Sequence, residues 1–481
     1  MLPYNLQHLG KELYGINVLA VSAIAMLQFL NLGMGSALLR FFSQAIAKKD
    51  QQEIKILSST AQFILGALGL VGAIAIVAAI PWFNRFYEVP QDYHRDTAIL
   101  LLCMACSFFI GFHSIVFQNI VQANNRYDFV NLTNIGSSWL RLILLVTFYN
   151  LFTPSLAFLG LALLLGGIYN YVALIAMSWR ESGSAVFFSY KCIVPVRLLE
   201  LFSFSLLALI QNVCFSASIQ VPLLIMGKTL GKESAAMFSP AILIAAHLSS
   251  CLCQISRPLT PLAARDHVKT GGDNIGRWAI MLGQVAACVG YGGIFASVVF
   301  MPDVLRVWLG DDFVSISLVV TVMVTGIVYS TIQNVNYNLA LGMSTIAPFA
   351  YSSVIMAVLT SLGTLLGTLW WNWGLLEVAL CLSIIRILRN TFFLSWIYSR
   401  LFKYSFCDYF FRVYVKPVIG GLVLLSVVMT VKHQFLNFSP GVILLGVEIA
   451  VVALMYAVIV WYFGFSRETR SFLLRREEAP L

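Results

Sequence analysis

The sequence predicts an all-α integral membrane protein: two six-helix lobes related as parallel repeats, followed by two C-terminal helices. Three observations carry this. Of 481 residues, 59% are hydrophobic and 11% charged, with a mean hydropathy of +0.86, whereas soluble domains carry about 25% charge. Stretches of about 20 apolar residues, the length that crosses a hydrocarbon core with every backbone group satisfied, recur along the chain. The tetrapeptide LGKE occurs at 9–12 and again at 230–233, with further echoes at similar offsets.

In chain order the spans fall near 13–34, 57–80, 98–123, 132–152, 156–178, 199–226, 234–256, 279–300, 314–341, 351–370, 374–398, 417–433 and 441–463, thirteen in all. The expected organisation is an N-terminal lobe at 1–178, a cytoplasmic linker at 179–198, a second lobe at 199–398, a second cytoplasmic linker at 399–416, and two further helices with a basic tail at 417–481. Between the first two spans, 35–55 places Leu38, Leu39, Phe42, Ala45 and Ile46 on one helical face, which predicts a helix along the cytoplasmic interface.

The loops alternate in charge. One set holds 20 of the 30 Lys and Arg residues, among them Arg40, Lys48, Lys49, Arg126, Arg180, Lys191, Arg400 and Lys403. The other holds 7 (Lys11, Arg85, Arg95, Lys228, Lys232, Arg306 and Lys432), and Arg141, Arg386 and Arg389 lie within spans. The positive-inside bias makes the rich set cytoplasmic, the C-terminus included. The net charge of +9 is mostly topology and gives no indication of nucleic acid. The nine cysteines are scattered, without metal-site spacing, and read as small apolar packing residues.

The repeat extends beyond LGKE. "AIPWFNRFYEVPQDY" from Ala79 resembles "VFMPDVLRVWLGDDF" from Val299, with Pro81 and Pro302 again 221 apart, and "FQN" at Phe117 and "IQN" at Ile332 are 215 apart. An even number of spans separates the copies, so the lobes share one orientation, the arrangement in which transporters form a site between repeats.

Polar groups within spans need a reason to be there. Arg141, about 13 Å deep from Leu132 at 1.5 Å per residue, shares a helical face with Asn134 and Ser137 or Ser138. The preceding span carries a stripe of Ser107, Gly111, Ser114, Gln118, Gln122 and Asn125; its repeat mate carries Gly326, Ser330, Gln333, Asn334, Asn336, Tyr337 and Asn338. Gln211 and Asn212 add amides, and His113, His247 and Gln254 are further candidates. These faces either line a hydrophilic cavity or join helices by hydrogen bonds of around 0.6 kcal/mol each. Arg386 and Arg389 are expected to snorkel toward the cytosolic interface, and Glu448 is expected to have a structural partner.

The segments "LNLGMGSALLRFFSQAIAKKD", "FQNIVQANNRYDFVNLTNIGSSWLRLILL" and "FMPDVLRVWLGDDF" resemble the polysaccharide-biosynthesis transporters. These are the lipid-linked oligosaccharide (O-antigen type) flippases of the multidrug/oligosaccharidyl-lipid/polysaccharide exporter superfamily. The likeness runs over nearly the whole chain through loose motifs, and fixes the superfamily better than the substrate. It implies twelve helices plus two, moving an undecaprenyl-pyrophosphate-linked glycan across the cytoplasmic (inner) membrane by alternating access, for surface polysaccharide such as lipopolysaccharide. The implied partners are the lipid-linked glycan, the bilayer, and polysaccharide polymerase and glycosyltransferases of the same pathway. No catalytic residue, cofactor or metal is implied.

On that resemblance the cavity candidates are Arg141, for the pyrophosphate, with Asn134, Gln118, Gln122, Asn125, Gln211, Asn212, Gln333, Asn334 and Asn338, for sugar hydroxyls. The chain departs from the pattern in having Pro222 before Gly227, and in retaining only the last turns of a first helix before LGKE. The natural start is therefore expected about 15–25 residues upstream. A cation-coupled multidrug antiporter of the same superfamily would need a buried acid, and Glu377 and Asp128 fall at a helix start and in a loop. A glycosyltransferase would need paired carboxylates or a large extramembrane loop. "MGKT" at 226–229 ends like a phosphate-binding loop, but has Pro222 where glycine is required.

Overall fold

The computed structural model describes residues 1–27, 30, 34–124, 126–194, 206–256, 259–260, 263, 274–343, 345, 347–419, 421–422, 442–461, 465 and 469–470. Among them the structure is almost entirely helical, with no strand, and eleven helical stretches are long and apolar enough to cross a membrane. The expected span at 417–433 lies largely outside the described residues. So do Asn125 and the basic residues Arg257, Arg265 and Lys269.

The chain runs through α1 (Leu2–Met26), α2 (Met34–Ala47), α3 (Gln51–Phe86), α4 (His94–Ala123), α5 (Tyr127–Leu151), α6 (Leu156–Ser182), α7 (Leu206–Thr229) and α8 (Lys232–Ser256). It continues as α9 (Ile275–Leu309), α10 (Ser317–Ile332), α11 (Asn334–Gly342), α12 (Ala347–Trp370), α13 (Leu375–Leu388), α14 (Ser395–Leu401), α15 (Phe406–Tyr409) and α16 (Val442–Ile459). Two compact units emerge, Met1–Ala236 and Met237–Leu481.

The repeat is visible in local geometry. α1 is bent at Gly10, whose φ of 77° and ψ of 171° interrupt the helix between Leu9 and Lys11. Gly231, in the second LGKE, has φ 92° and separates α7 from α8. Left-handed backbone of this kind is cheap only for glycine, so both copies of the motif break a helix at the same residue. The 36-residue α3 and the 35-residue α9 are the longest helices, and each carries its proline, Pro81 or Pro302, near its C-terminal end.

Boundaries shift where capping overrides hydropathy. α3 begins at Gln51 rather than near 57, because Asp50 accepts a hydrogen bond from Glu53 N at 3.0 Å and Lys49 turns the chain with φ 55°. Lys55 thus belongs to α3. The expected interfacial helix is α2, but its apolar face is spent on protein: Leu38, Phe42 and Ala45 are buried and the helix packs on α4.

In the N-terminal unit α4 packs between α3 and α6, α5 packs on α6, and α7 packs along α1. Four polar residues in a short run of α3 hold the segment after α6. Ser58 Oγ and Gln62 Nε2 donate to Val186 O at 2.9 and 2.8 Å, Ser59 Oγ accepts from Ser189 N at 3.1 Å, and Thr60 Oγ1 accepts from Val194 N at 3.3 Å. Ser58, Ser59 and Thr60 are fully buried, so these bonds satisfy an otherwise irregular backbone.

In the C-terminal unit α9 packs on α10, and α10 and α12 pack on α13. The expected single spans at 314–341 and 374–398 are each interrupted. The first breaks at Gln333, between α10 and α11; the second passes through a π-helical turn at Arg389–Leu394, and another such turn occupies Phe410–Val415.

Candidate functional site

Arg141 lies in the seam between α5 and α6. Ser137 Oγ donates to Gly166 O at 2.8 Å, which brings the two helices together one turn away. A side chain on Gly166 would collide with that of Arg141, so the arginine occupies the space the glycine leaves. On the same face Asn134 Oδ1 accepts from Asn170 Nδ2 at 3.3 Å. Asn170 was not anticipated from the sequence; the signal was "GGIYNY", a small-and-polar run inside an apolar helix.

This seam is incompletely satisfied. Arg141 Nε and Asn170 Oδ1 are buried without a hydrogen-bond partner. A donor and an acceptor left open at one helix pair cost about 1–3 kcal/mol each unless something binds them. Among the described residues Arg141 has no carboxylate within salt-bridge distance. Beside the seam, Asn134, Ile135, Ser138, Trp139 and Leu142 line a shallow depression with Met1.

The other amides of the unit are placed as follows. Gln118 and Gln122 on α4 are half-buried and make no hydrogen bond among the described residues. On α7, Gln211 is half-buried and Asn212 exposed. His113 is half-buried, its Nδ1 donates to Phe109 O at 3.3 Å and its ring packs on Gly66; His247 is exposed. "MGKT" forms the end of α7, a helix rather than a phosphate-binding loop.

The C-terminal unit uses the corresponding residues differently. Gln333 is fully buried. Its Nε2 lies 2.8 Å from Asn390 O, 2.6 Å from Ser395 Oγ and 2.9 Å from Tyr414 OH, and its Oε1 accepts from Asn336 Nδ2 at 2.8 Å. Asn390 O is a carbonyl displaced by the π-helical turn, and Gln333, Ser395 and Tyr414 converge on it. Asn334 Nδ2 donates to Cys253 Sγ at 3.0 Å, and Asn338 Oδ1 accepts from Thr260 Oγ1 at 3.0 Å.

Arg386 and Arg389 do not snorkel. They are 0% and 8% exposed. Arg389 donates through Nε to Ser352 Oγ at 3.0 Å and through Nη2 to Ser353 Oγ at 2.6 Å and Phe349 O at 3.2 Å. Its guanidinium also lies 5.5 Å from the centre of the Phe349 ring. The Arg389 side chain turns into the bundle because α12 offers two adjacent hydroxyls and a carbonyl there. The partner expected for Glu448 is not found among the described residues, and this side chain is half-exposed.

A separate cavity of about 530 Å³ lies between α9 and α16, bordered by Cys288, Phe295, Val299, Tyr456, Val460 and Trp461 and almost wholly apolar.

Compared with known proteins, residues 6–147 match the MatE family. The chain is 22% identical over 500 residues to the uncharacterized membrane protein EpsK of Bacillus subtilis (strain 168), covering 99% of this chain and 94% of that protein. Among solved structures it resembles an inward-facing multidrug resistance MATE family transporter of the MOP superfamily, with a TM-score of 0.71 at 14% identity over 83% of this chain and 92% of that one. It also resembles the lipid II flippase MurJ in an inward closed conformation, with a TM-score of 0.70 at 13% identity over 96% of both chains. The chain is thus a multi-pass, all-helical membrane protein with the fold of the MATE transporters and the MurJ flippase.

Proposed function

We propose that the protein is a flippase that carries a lipid-linked oligosaccharide, attached through undecaprenyl pyrophosphate, from the inner to the outer leaflet of the cytoplasmic membrane by alternating access between two six-helix lobes. The observation that carries this is the α5–α6 seam, where Arg141 is half-buried without a carboxylate partner and its Nε is left open. A guanidinium in that state suits a pyrophosphate, whose oxygens accept its charge-assisted hydrogen bonds. The open amides of Gln118 and Gln122, with Asn134, Gln211 and Asn212, suit sugar hydroxyls, while the prenyl chain stays in lipid.

The MATE transporter covers 83% of this chain and MurJ 96%, and the difference is about the length of the 417–481 extension expected beyond twelve helices. The MatE match over residues 6–147 favours a second reading, a cation-coupled multidrug antiporter.

Deletion of the gene separates them. The flippase reading expects lipid-linked repeat units to accumulate on the cytoplasmic leaflet and surface polysaccharide to fall, with Arg141→Ala reproducing the loss. Normal surface polysaccharide together with raised drug sensitivity would leave the antiporter.

A further inference from the structure

The two LGKE copies touch each other. Lys232 Nζ of the second lies 2.9 Å from Glu12 Oε1 of the first, with Lys232 14% exposed. The backbones also meet, since a side chain at Gly15 would overlap Lys232 O and its carbon. Only glycine permits that approach.

The loop after α3 completes the cluster. Lys232 Nζ donates to Glu88 O at 3.0 Å, and Lys228 Nζ donates to Glu88 Oε1 at 2.7 Å. Glu88 has φ 50°, a left-handed conformation that is strained for a non-glycine residue. That strained turn aims its carbonyl at one lysine and its carboxylate at the other. The hydrogen bond and charge of Lys228 hold the Glu88 carboxyl below its ordinary value. Tyr87 OH donates to Leu224 O at 3.5 Å beside it.

Glu12 and Glu88 come from the first sequence repeat, Lys228 and Lys232 from the second. Glu12 follows the Gly10 bend of α1, Glu88 lies in the loop after α3 and the lysines flank Gly231, all in segments that the charge distribution assigns to the outer face. We propose that Glu12, Glu88, Lys228 and Lys232 form an outer latch, an ionic clasp between the two repeats that holds this end shut and must part each time it opens. The proposal rests on the transport reading for its purpose, but not for its geometry. It gives the repeated motif a role beyond breaking the helix: each copy places a glycine bend and then an opposite partner, Glu12 from one and Lys232 from the other, at the contact.

The test reads distance rather than transport. Spin labels at Asp92→Cys and Glu233→Cys, both exposed positions, are introduced with Cys106, Cys251 and Cys407 replaced by serine, and distances are measured in lipid nanodiscs. A short separation should dominate. Lys232→Glu should shift the open-to-closed ratio up to about fivefold toward a longer separation, the range expected of a partly exposed ion pair, and Glu12→Lys combined with Lys232→Glu should restore the short one. An unchanged distribution in Lys232→Glu overturns the latch, as does a shift the charge swap does not reverse. Should Lys232→Glu not fold, Lys232→Met removes the charge and is read against the same two outcomes. If distances respond while export of lipid-linked glycan by the same variants does not, the latch stands and the transport reading fails.

Discussion

Gln118 and Gln333 occupy the same place in the repeat, each the central residue of an aromatic-or-aliphatic, Gln, Asn triplet 215 positions apart, and they have opposite fates. In the N-terminal unit α4 runs unbroken through Gln118, whose amide finds no partner among the described residues. In the C-terminal unit the helix breaks at Gln333 and the amide is consumed at the displaced carbonyl of Asn390. Two of the three span arginines, Arg141 and Arg389, divide in the same way. Arg141 keeps an open Nε, while Arg389 is enclosed by Ser352, Ser353 and Phe349 O. Polarity in a membrane span is costly wherever it sits; around Gln333 and Arg389 it is spent on holding a distorted helix, whereas at Gln118 and Arg141 Nε it is left open.

The largest expected effect comes from exchanging these roles. Gln333→Ala strips the hub of its central amide and leaves Asn390 O and Asn336 Nδ2 short of partners, at a cost of about 2–4 kcal/mol. Gln118→Ala is expected to change stability by no more than about 0.5 kcal/mol. Thermal unfolding of the two variants in one detergent measures the difference, and equal losses would break the comparison.

Next come the arginines. Arg389→Ala should destabilise by about 2–4 kcal/mol, because Ser352, Ser353 and Phe349 O lose the donor they surround. Arg141→Ala should fold to near wild-type abundance yet export little. Quantitative blots beside surface-polysaccharide assays distinguish loss of protein from loss of function.

A smaller effect is expected where α3 holds the segment after α6. Ser59→Ala removes the acceptor of Ser189 N and should cost about 1–2 kcal/mol, read as faster proteolysis between Gly183 and Val194 than in a Ser43→Ala control. Smallest is a pH effect at Glu88. Its carboxyl is held below the ordinary value of 4.5 by Lys228, so its stabilising contribution is complete above pH 4.5 and is lost as pH falls through the lower folded value. Melting curves of wild type and Glu88→Gln should converge on acidification and separate as pH rises.

Much of the fold was legible because the bilayer demands long apolar helices, and because LGKE marked the same glycine bend twice. Boundaries moved where Asp50 capped α3 and where a π-helical turn interrupted 374–398, features that hydropathy does not register. What polar residues face was less legible. Periodicity placed Arg386 and Arg389 on a helix, and the nearest escape was the interface; two serines on α12 instead drew Arg389 inward. The run Ser58, Ser59, Thr60 and Gln62 was visible as polarity in an apolar helix, but its partners are backbone atoms more than 120 residues away, which no local pattern reveals.

The central claim is that the N-terminal seam receives the substrate's charged head group. Its most direct test is flipping of a fluorescent pyrophosphate-linked prenyl glycan by purified protein in liposomes, comparing wild type with Arg141→Ala and Arg141→Lys at matched protein density. The account predicts flipping by wild type, a reduction of about tenfold or more in Arg141→Ala, in line with losing a charge-assisted contact worth about 1.5–3 kcal/mol, and partial recovery in Arg141→Lys. Equal rates for wild type and Arg141→Ala would contradict it.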